Sequence, residues 1–396
     1  MAGSMRVLFT TTGHSGHLLP LAPLAHASRL AGHEVLVATY RSRVAAVDRA
    51  GLDWHAIDEA PEERWAPLMG KLATLPRDDA DALIIAGGFA RIGAGAALPH
   101  LLELVDDWRP DVLVYECYEF AGPIAADAHD VPYARVALGL ASTEDWVSEL
   151  AAPTVAELRD ELDLPEADTA PLLSLVPPSL DDGPARLRFR GPLPPFAPAA
   201  LPDWWDNADD PLVYVTFGSV TGSLPFFPRI YRDTLDALAD SPVRVLVTVG
   251  RDADLSQLGP LPANAHVEAW LSQNEVLPHA AAVVAHGGYG TTLGALEHGV
   301  PMVLLPLFAG DQWRNARRVA ELGAGMLVDN DLRRVFDTPS SRAMQALPDA
   351  VAEVIGNPRY REAAALIRRE IGGFPVATAA VPVLEELAAA PVRQAH

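Results

Sequence analysis

Short apolar runs alternate with helix-spaced segments along most of the chain. Residues 5–12 are an apolar run ending in three threonines; the turn GHSGH follows at 13–17, and apolar positions then recur at helical spacing from Leu18 to Ala31. Strands expected at Glu34–Tyr40, Asp111–Tyr115 and Tyr133–Leu138, with a helix over Ala121–His129, repeat that order. Such alternation predicts a parallel sheet with helices on its faces. Proline is dense from Val176 to Pro202, in VPPSL and GPLPPFAPAALP, which forbids regular helix or interior strand and marks a linker. The alternation then restarts, with strands expected at Leu212–Phe217, Val243–Val249, Ala281–Ala285 and Pro301–Pro306 and a helix at Pro228–Leu238. Two doubly wound domains follow: residues 1–200, including the linker from about 176, and residues 201–375. Ala352–Ile371 and Val381–Ala390 read as helices, and the helix within 376–396 is expected to cross back to the first domain.

Composition narrows the function. A length of 396 residues fits two domains better than one core, and a net charge of −22 opposes binding to a phosphate backbone, so no nucleic-acid partner is expected. Cys117 is the single cysteine, and no His/Cys cluster has metal-ligand spacing, so neither a disulfide nor a metal site is expected. The start lacks a basic segment followed by a long apolar one, which points to the cytoplasm. Residues 82–105 carry Arg91, His100 and Glu103; they are expected to form a buried helix that falls short of a membrane span, so no stable membrane insertion is expected. No G-x-x-x-x-G-K-[ST] sequence is present, which removes the ATP-dependent phosphotransferases of that class.

The richest stretch is WLSQNEVLPHAAAVVAHGGYGTTLGALEHGVPMVLLPLFAGDQWRN, from Trp270 to Asn315. An apolar strand ends at His286, and Gly287, Gly288 and Gly290 lead into a helix expected near Thr291. Glycines let a ligand approach the backbone, and the free N–H groups and dipole of a helix start attract phosphate oxygens; Thr291, Thr292 and His286 add side-chain donors.

This stretch resembles the C-terminal signature of family 1 glycosyltransferases, with W-x-x-Q, H-x-G, E-x-G-V-P-M and D-Q-x-x-N in the family's order; GHLLPLAPLAHASRLAGHEV and VYVTFGS are also family-like. The resemblance implies the GT-B fold: two doubly wound Rossmann-like α/β domains facing each other across a cleft. The acceptor would then bind mainly in the N-terminal domain and the nucleotide sugar in the C-terminal one. It further implies that Trp270 stacks on the base and Gln273 touches base or ribose. His286, Gly288, Gly290 and Thr291 would hold the diphosphate with Gly218 and Ser219, and Asp311 and Gln312 would bind sugar hydroxyls. Many family members that use UDP-sugars carry, eight residues after the motif histidine, a glutamate that accepts from both ribose hydroxyls; here that position is Gly294. The same glycine resembles bacterial transferases that act on natural products with dTDP-sugars, so a dTDP-sugar is the expected donor and a UDP-sugar the alternative. Glu297 is a candidate substitute carboxylate. Gly290 stands where plant members have asparagine.

Transfer with inversion needs a base for the acceptor proton, and histidine titrates in the right range. His17 occupies the G-H-x-x-P position at which the family places its catalytic histidine. A carboxylate near the end of DVLVYECYEF would orient it: Glu116 is preferred, with Glu119 as the alternative. His14, Trp65, Met69, Phe89 and Trp146 are candidates to line the acceptor site. The expectation is an inverting, metal-independent hexosyl- or deoxysugar transferase acting on a hydroxyl of an aromatic or polyketide-like acceptor, with a C-glycoside also open. Its partners are the nucleotide sugar and a small molecule, and a homodimer is left open. The rivals are a broad-acceptor UDP-glucose transferase, a non-catalytic nucleotide-sugar-binding partner protein and a GT-B epimerase.

Overall fold

The computed structural model describes residues 3–167, 169–181, 183–191, 200–205, 209–328 and 332–390. The chain divides into a first unit, Met1–Thr74, Asp78–Pro192 and Phe374–His396, and a second, Leu75–Arg77 and Leu193–Gly373.

In the first unit seven parallel strands, β1 (Arg6–Thr10), β2 (Glu34–Tyr40), β3 (Trp54–Ile57), β4 (Val112–Glu116), β5 (Tyr133–Val136), β6 (Leu172–Ser174) and β7 (Leu187–Arg188), lie in the order β3-β2-β1-β4-β5-β6-β7. Val7 of β1 pairs with Val35 on one side and Val112 on the other, and Val7, Leu8 and Phe9 are fully buried. A strand covered on both faces reads as an unbroken apolar run, which is why β1 is plain in the sequence. After β1 the chain turns one way to β2 and β3 and then crosses to β4. That reversal leaves a crevice at the C-terminal ends of β1 and β4, the place where open α/β sheets bind ligands.

The second unit repeats the plan. Its strands β8 (Leu212–Thr216), β9 (Arg244–Thr248), β10 (Ala265–Glu268), β11 (Ala280–Ala285), β12 (Met302–Leu304) and β13 (Gly325–Leu327) are parallel in the order β10-β9-β8-β11-β12-β13. The reversal falls between β8 and β11. Each unit has its own core: Leu8, Ile85, Leu101, Leu113 and Ile124 contribute to the first, and Val213, Phe217, Tyr231, Val284 and Leu347 to the second.

Several expectations need correction. Residues 352–371 are not one helix: Ser341–Gly356 ends at Asn357, and Pro358, which cannot donate a backbone hydrogen bond, starts the next helix, Pro358–Gly372, whose first turn the Asn357 side chain caps. Leu187–Arg188, within the proline-rich stretch, adds an edge strand to β6 instead of being linker, while residues 192–199 lie outside those described. The apolar stretch at 82–105 belongs to a longer helical run, Arg77–Trp108, π-helical over Leu83–Ala94. By length and composition this run does qualify as a membrane span, although Ile85, Ala90, Ala97, Leu101 and Val105 lie in the first unit's core. The last helix, Val381–Ala388, belongs to the first unit, where Leu384 is fully buried and Glu385 Oε1 lies 3.3 Å from His33 Nε2; residues 391–396 lie outside those described.

Candidate functional site

In the first unit the chemistry gathers at the β1/β4 reversal. The turn after β1 passes through Gly13 at φ +79, where a Cβ would stand 2.2 Å from Thr39 Oγ1 and 2.5 Å from Arg43 Cβ, so only glycine fits. That turn delivers His17 in the first turn of the helix Ser15–Leu30. Glu116, the last residue of β4, is fully buried with Oε1 3.0 Å from His17 Nδ1. The same oxygen accepts from the Thr12 N–H and hydroxyl, each at 3.1 Å, and Oε2 accepts from the Tyr118 N–H at 2.7 Å. Burial pushes the Glu116 carboxyl up, but the His17 ring and the Tyr118 and Thr12 N–H groups outweigh it and hold the pKa below the usual carboxylate value. An ionised carboxylate only accepts. His17 Nδ1 therefore carries the proton, and in the neutral ring the lone pair stands on Nε2.

Glu119 does not lie against His17. It accepts from Thr10 Oγ1 at 2.5 Å and from the N–H groups of Ala121 and Gly122 at the start of the helix Ala121–Ala128. Burial, aided by the Glu116 charge, raises its pKa to about 7 against the pull of these donors. His14, whose ring centroid is 6.1 Å from that of His17, is driven down to about 3, first by burial and then by the Arg43 and His17 charges. Phe89, on the π-helical stretch, has its ring 6.2 Å from His17, while Trp65 is half-buried where a Cβ on Gly88 would come within 3.2 Å of it. Trp146 is half-buried on the first unit's core and Met69 is exposed. Sequence reading overlooked Tyr118, whose ring stands edge-on to His17 at 5.2 Å and 5.1 Å from Phe89. Its place between the two candidate glutamates was the available signal. It also left unassigned Thr10 to Thr12, whose hydroxyls and N–H groups serve both carboxylates.

The second unit's reversal is built differently. His286, just past β11, is buried, and a Cβ on Gly218 would sit 2.9 Å from its Nε2, one on Gly288 only 2.4 Å. Both glycines are thus dictated by the imidazole between them. Burial lowers the His286 pKa to about 4, so the ring is neutral at neutral pH. The helix begins at Tyr289, with Gly288 before it, two residues earlier than expected; Gly290 and Thr291 therefore lie in its first turn, where N–H groups are free. Gly287 is pinned by Asn315 Nδ2, which donates to its carbonyl at 2.9 Å. Gln312 spends its side-chain oxygen on the N–H groups of Leu307 and Phe308, which leaves its amide N–H groups for other partners; Asp311 is in the first turn of the helix Gly310–Glu321. Gln273 donates to Thr291 Oγ1 at 3.0 Å, and its Oε1 lies 3.2 Å from where a Cβ on Gly294 would be. Trp270 is 49% exposed, and Ser219 is exposed in the loop after β8.

His17 on the buried Glu116 carboxylate in one doubly wound unit and a glycine-rich helix start in the other fit a glycosyltransferase of the GT-B fold. The comparisons with known proteins carry this to the family. The erythromycin biosynthesis protein CIII-like N-terminal domain matches residues 85–218 and the C-terminal domain of the same name residues 232–387. L-demethylnoviosyl transferase of Streptomyces niveus is 34% identical over 83% of this chain and 86% of that protein; TDP-daunosamine transferase DnrS of Streptomyces peucetius is 30% identical over 97% of each. Among solved structures, the spinosyn rhamnosyltransferase SpnG complexed with thymidine diphosphate is 26% identical with a TM-score of 0.78, over 96% of this chain and 100% of that one. The chain belongs to the erythromycin biosynthesis protein CIII-like family of antibiotic glycosyltransferases.

Proposed function

We propose that the protein moves a hexose or deoxysugar from a dTDP-sugar to a hydroxyl of an aromatic or polyketide-like acceptor, with inversion and without a metal. The observation that carries the donor assignment is Gly294, which places no carboxylate beside Gln273 for a ribose 2′-hydroxyl. Glu297, the candidate substitute, has its pKa raised to about 7 by burial, which makes it a weaker acceptor than an ionised carboxylate. DnrS, a TDP-daunosamine transferase, and SpnG, solved with thymidine diphosphate, support a thymidine nucleotide for this chain as well.

In this mechanism His17 Nε2 takes the acceptor proton as the acceptor oxygen bonds to the sugar C1. Glu116 stabilises the imidazolium through Nδ1–H, and Phe89 and Tyr118 line the acceptor beside the base. The C1–oxygen bond to the diphosphate breaks, and the departing charge is met by N–H groups from Gly288 to Thr291, by His286 and by the loop at Gly218 and Ser219. Trp270 takes the base, Gln273 the base or ribose, and Asp311 and Gln312 the sugar hydroxyls.

Calorimetric titration with dTDP and with UDP tests the donor. dTDP is expected to bind about tenfold or more tightly, and Gly294→Glu, whose Cβ would stand 3.2 Å from Gln273 Oε1 and 3.5 Å from Leu277 Cδ1, is expected to narrow or reverse that ratio. UDP preference in the unaltered protein would sink the assignment and favour the UDP-glucose reading.

A further inference from the structure

We propose that Arg251 positions the Trp270 indole for the donor's nucleobase, covering one face of the ring so that the opposite face is presented to the base; this rests on the donor-site reading above. Adjacent parallel strands β9 and β10 bring the two residues together. Past their ends the Val249 N–H donates to the Glu268 carbonyl at 3.3 Å and the Gly250 N–H to the Ala269 carbonyl at 2.9 Å, so Arg251 and Trp270 leave the sheet edge side by side. The Arg251 guanidinium carbon lies 3.8 Å from the Trp270 ring centroid, a stacking distance.

The loop that carries Arg251 is held from below. Gly250 has φ +106, and a Cβ there would meet the Ser219 carbonyl oxygen at 3.1 Å; a Cβ on Gly222 would lie 2.4 Å from the Val249 carbonyl oxygen and 2.8 Å from Ala253 Cβ. The loop after β9 is therefore packed on the loop after β8, which holds Gly218 and Ser219. The partner-free state of the guanidinium is the second observation. In a chain with 52 acidic and 30 basic residues, Arg229, Arg232 and Arg318 of the same unit each pair with a carboxylate three or four positions away, whereas among the described residues Arg251 has neither a hydrogen bond nor an ion pair. Among the described residues its partner is the indole.

An exposed tryptophan free to rotate loses side-chain freedom when a base stacks on it, and a flat cation already on one face removes part of that cost before binding. In this role the cation acts on the indole and not on the diphosphate, so its effect belongs to the base.

The test is calorimetric titration with dTDP, with thymidine and pyrophosphate measured by competition against it, on the full chain and on Arg251→Ala, Trp270→Ala and the double variant. Arg251→Ala is expected to weaken dTDP and thymidine by the same factor, about tenfold, to leave pyrophosphate unchanged, and to add nothing in the Trp270→Ala background. If Trp270→Ala weakens dTDP but Arg251→Ala does not, or if Arg251→Ala weakens pyrophosphate and spares thymidine, the positioning role is overturned while the donor site stands. If the unaltered protein binds no dTDP, or Trp270→Ala leaves its affinity unchanged, the donor-site reading falls and this inference with it.

Discussion

The two units share a strand order and reverse it at the same point, after the first and before the fourth strand of each sheet, yet they fill that point with opposite chemistry. At the ends of β1 and β4 stand His17, Glu116 and Glu119, side chains that hold or move protons. At the ends of β8 and β11 stand glycines, a neutral His286 and a helix start, a surface of N–H donors that carries no full charge. The fold creates the crevice in both cases, because the connections that follow two adjacent parallel strands leave to opposite sides where the strand order reverses, so their loops stand apart. Residue choice alone gives one crevice a histidine–carboxylate pair and the other glycines around a neutral imidazole, the difference on which the proposed proton-transfer and anion-binding roles rest.

The comparison breaks if His17 is dispensable. His17→Ala is expected to lower kcat by about 10³-fold, within the range for general-base removal, and to leave dTDP affinity within about twofold of the original. Turnover and calorimetry on one preparation check this, and retained activity would move the proton-transfer role elsewhere.

Glu119→Gln sharpens it by separating fold stability from chemistry. The Glu119 pKa is raised from its usual 4.5 to about 7, so the folded state holds a proton that the unfolded state releases. The resulting stabilisation is full below 4.5 and is lost as pH rises to about 7, about 3 kcal/mol across that window. Gln keeps the acceptor for Ala121 and Gly122 without a titrating proton. Chemical denaturation at pH 5 and pH 8 should show the original protein losing that much relative to the variant, and parallel curves would contradict the assignment.

Gly288→Ala probes the anion site with a smaller effect. The added methyl falls 2.4 Å from His286 Nε2, so the buried ring must move, and dTDP affinity is expected to drop about tenfold with kcat for bound donor less affected. Unchanged affinity would show that the His286 ring does not hold nucleotide.

Much of the fold was legible. Strands β1, β2, β4, β5, β8, β9, β11 and β12 were expected within a few residues because they lie inside their sheets or near the centre, where burial on both faces leaves an apolar run. Strands β3, β7, β10 and β13 were missed; all are sheet edges, and Trp54–Ile57 and Ala265–Glu268 are exposed or half-buried along much of their length, which removes the pattern. β6, three residues long beside edge strand β7, was missed as well.

By itself the sequence determined the alternation of strand and helix, the excess of acidic over basic residues, and the ordered string from Trp270 to Asn315 by which the family is recognised. It could offer Glu116 and Glu119 as partners for His17 but not choose between them, since strand alternation does not say which carboxylate a turn from another strand will reach. Tertiary structure made that choice by setting β4 beside β1, which brings Glu116 to His17 and turns Glu119 to Thr10 and the next helix. It likewise set Arg251 over Trp270, because only the pairing of β9 with β10 puts those two loops side by side. Periodicity records which face of an element is buried; it holds no record of which distant element covers it.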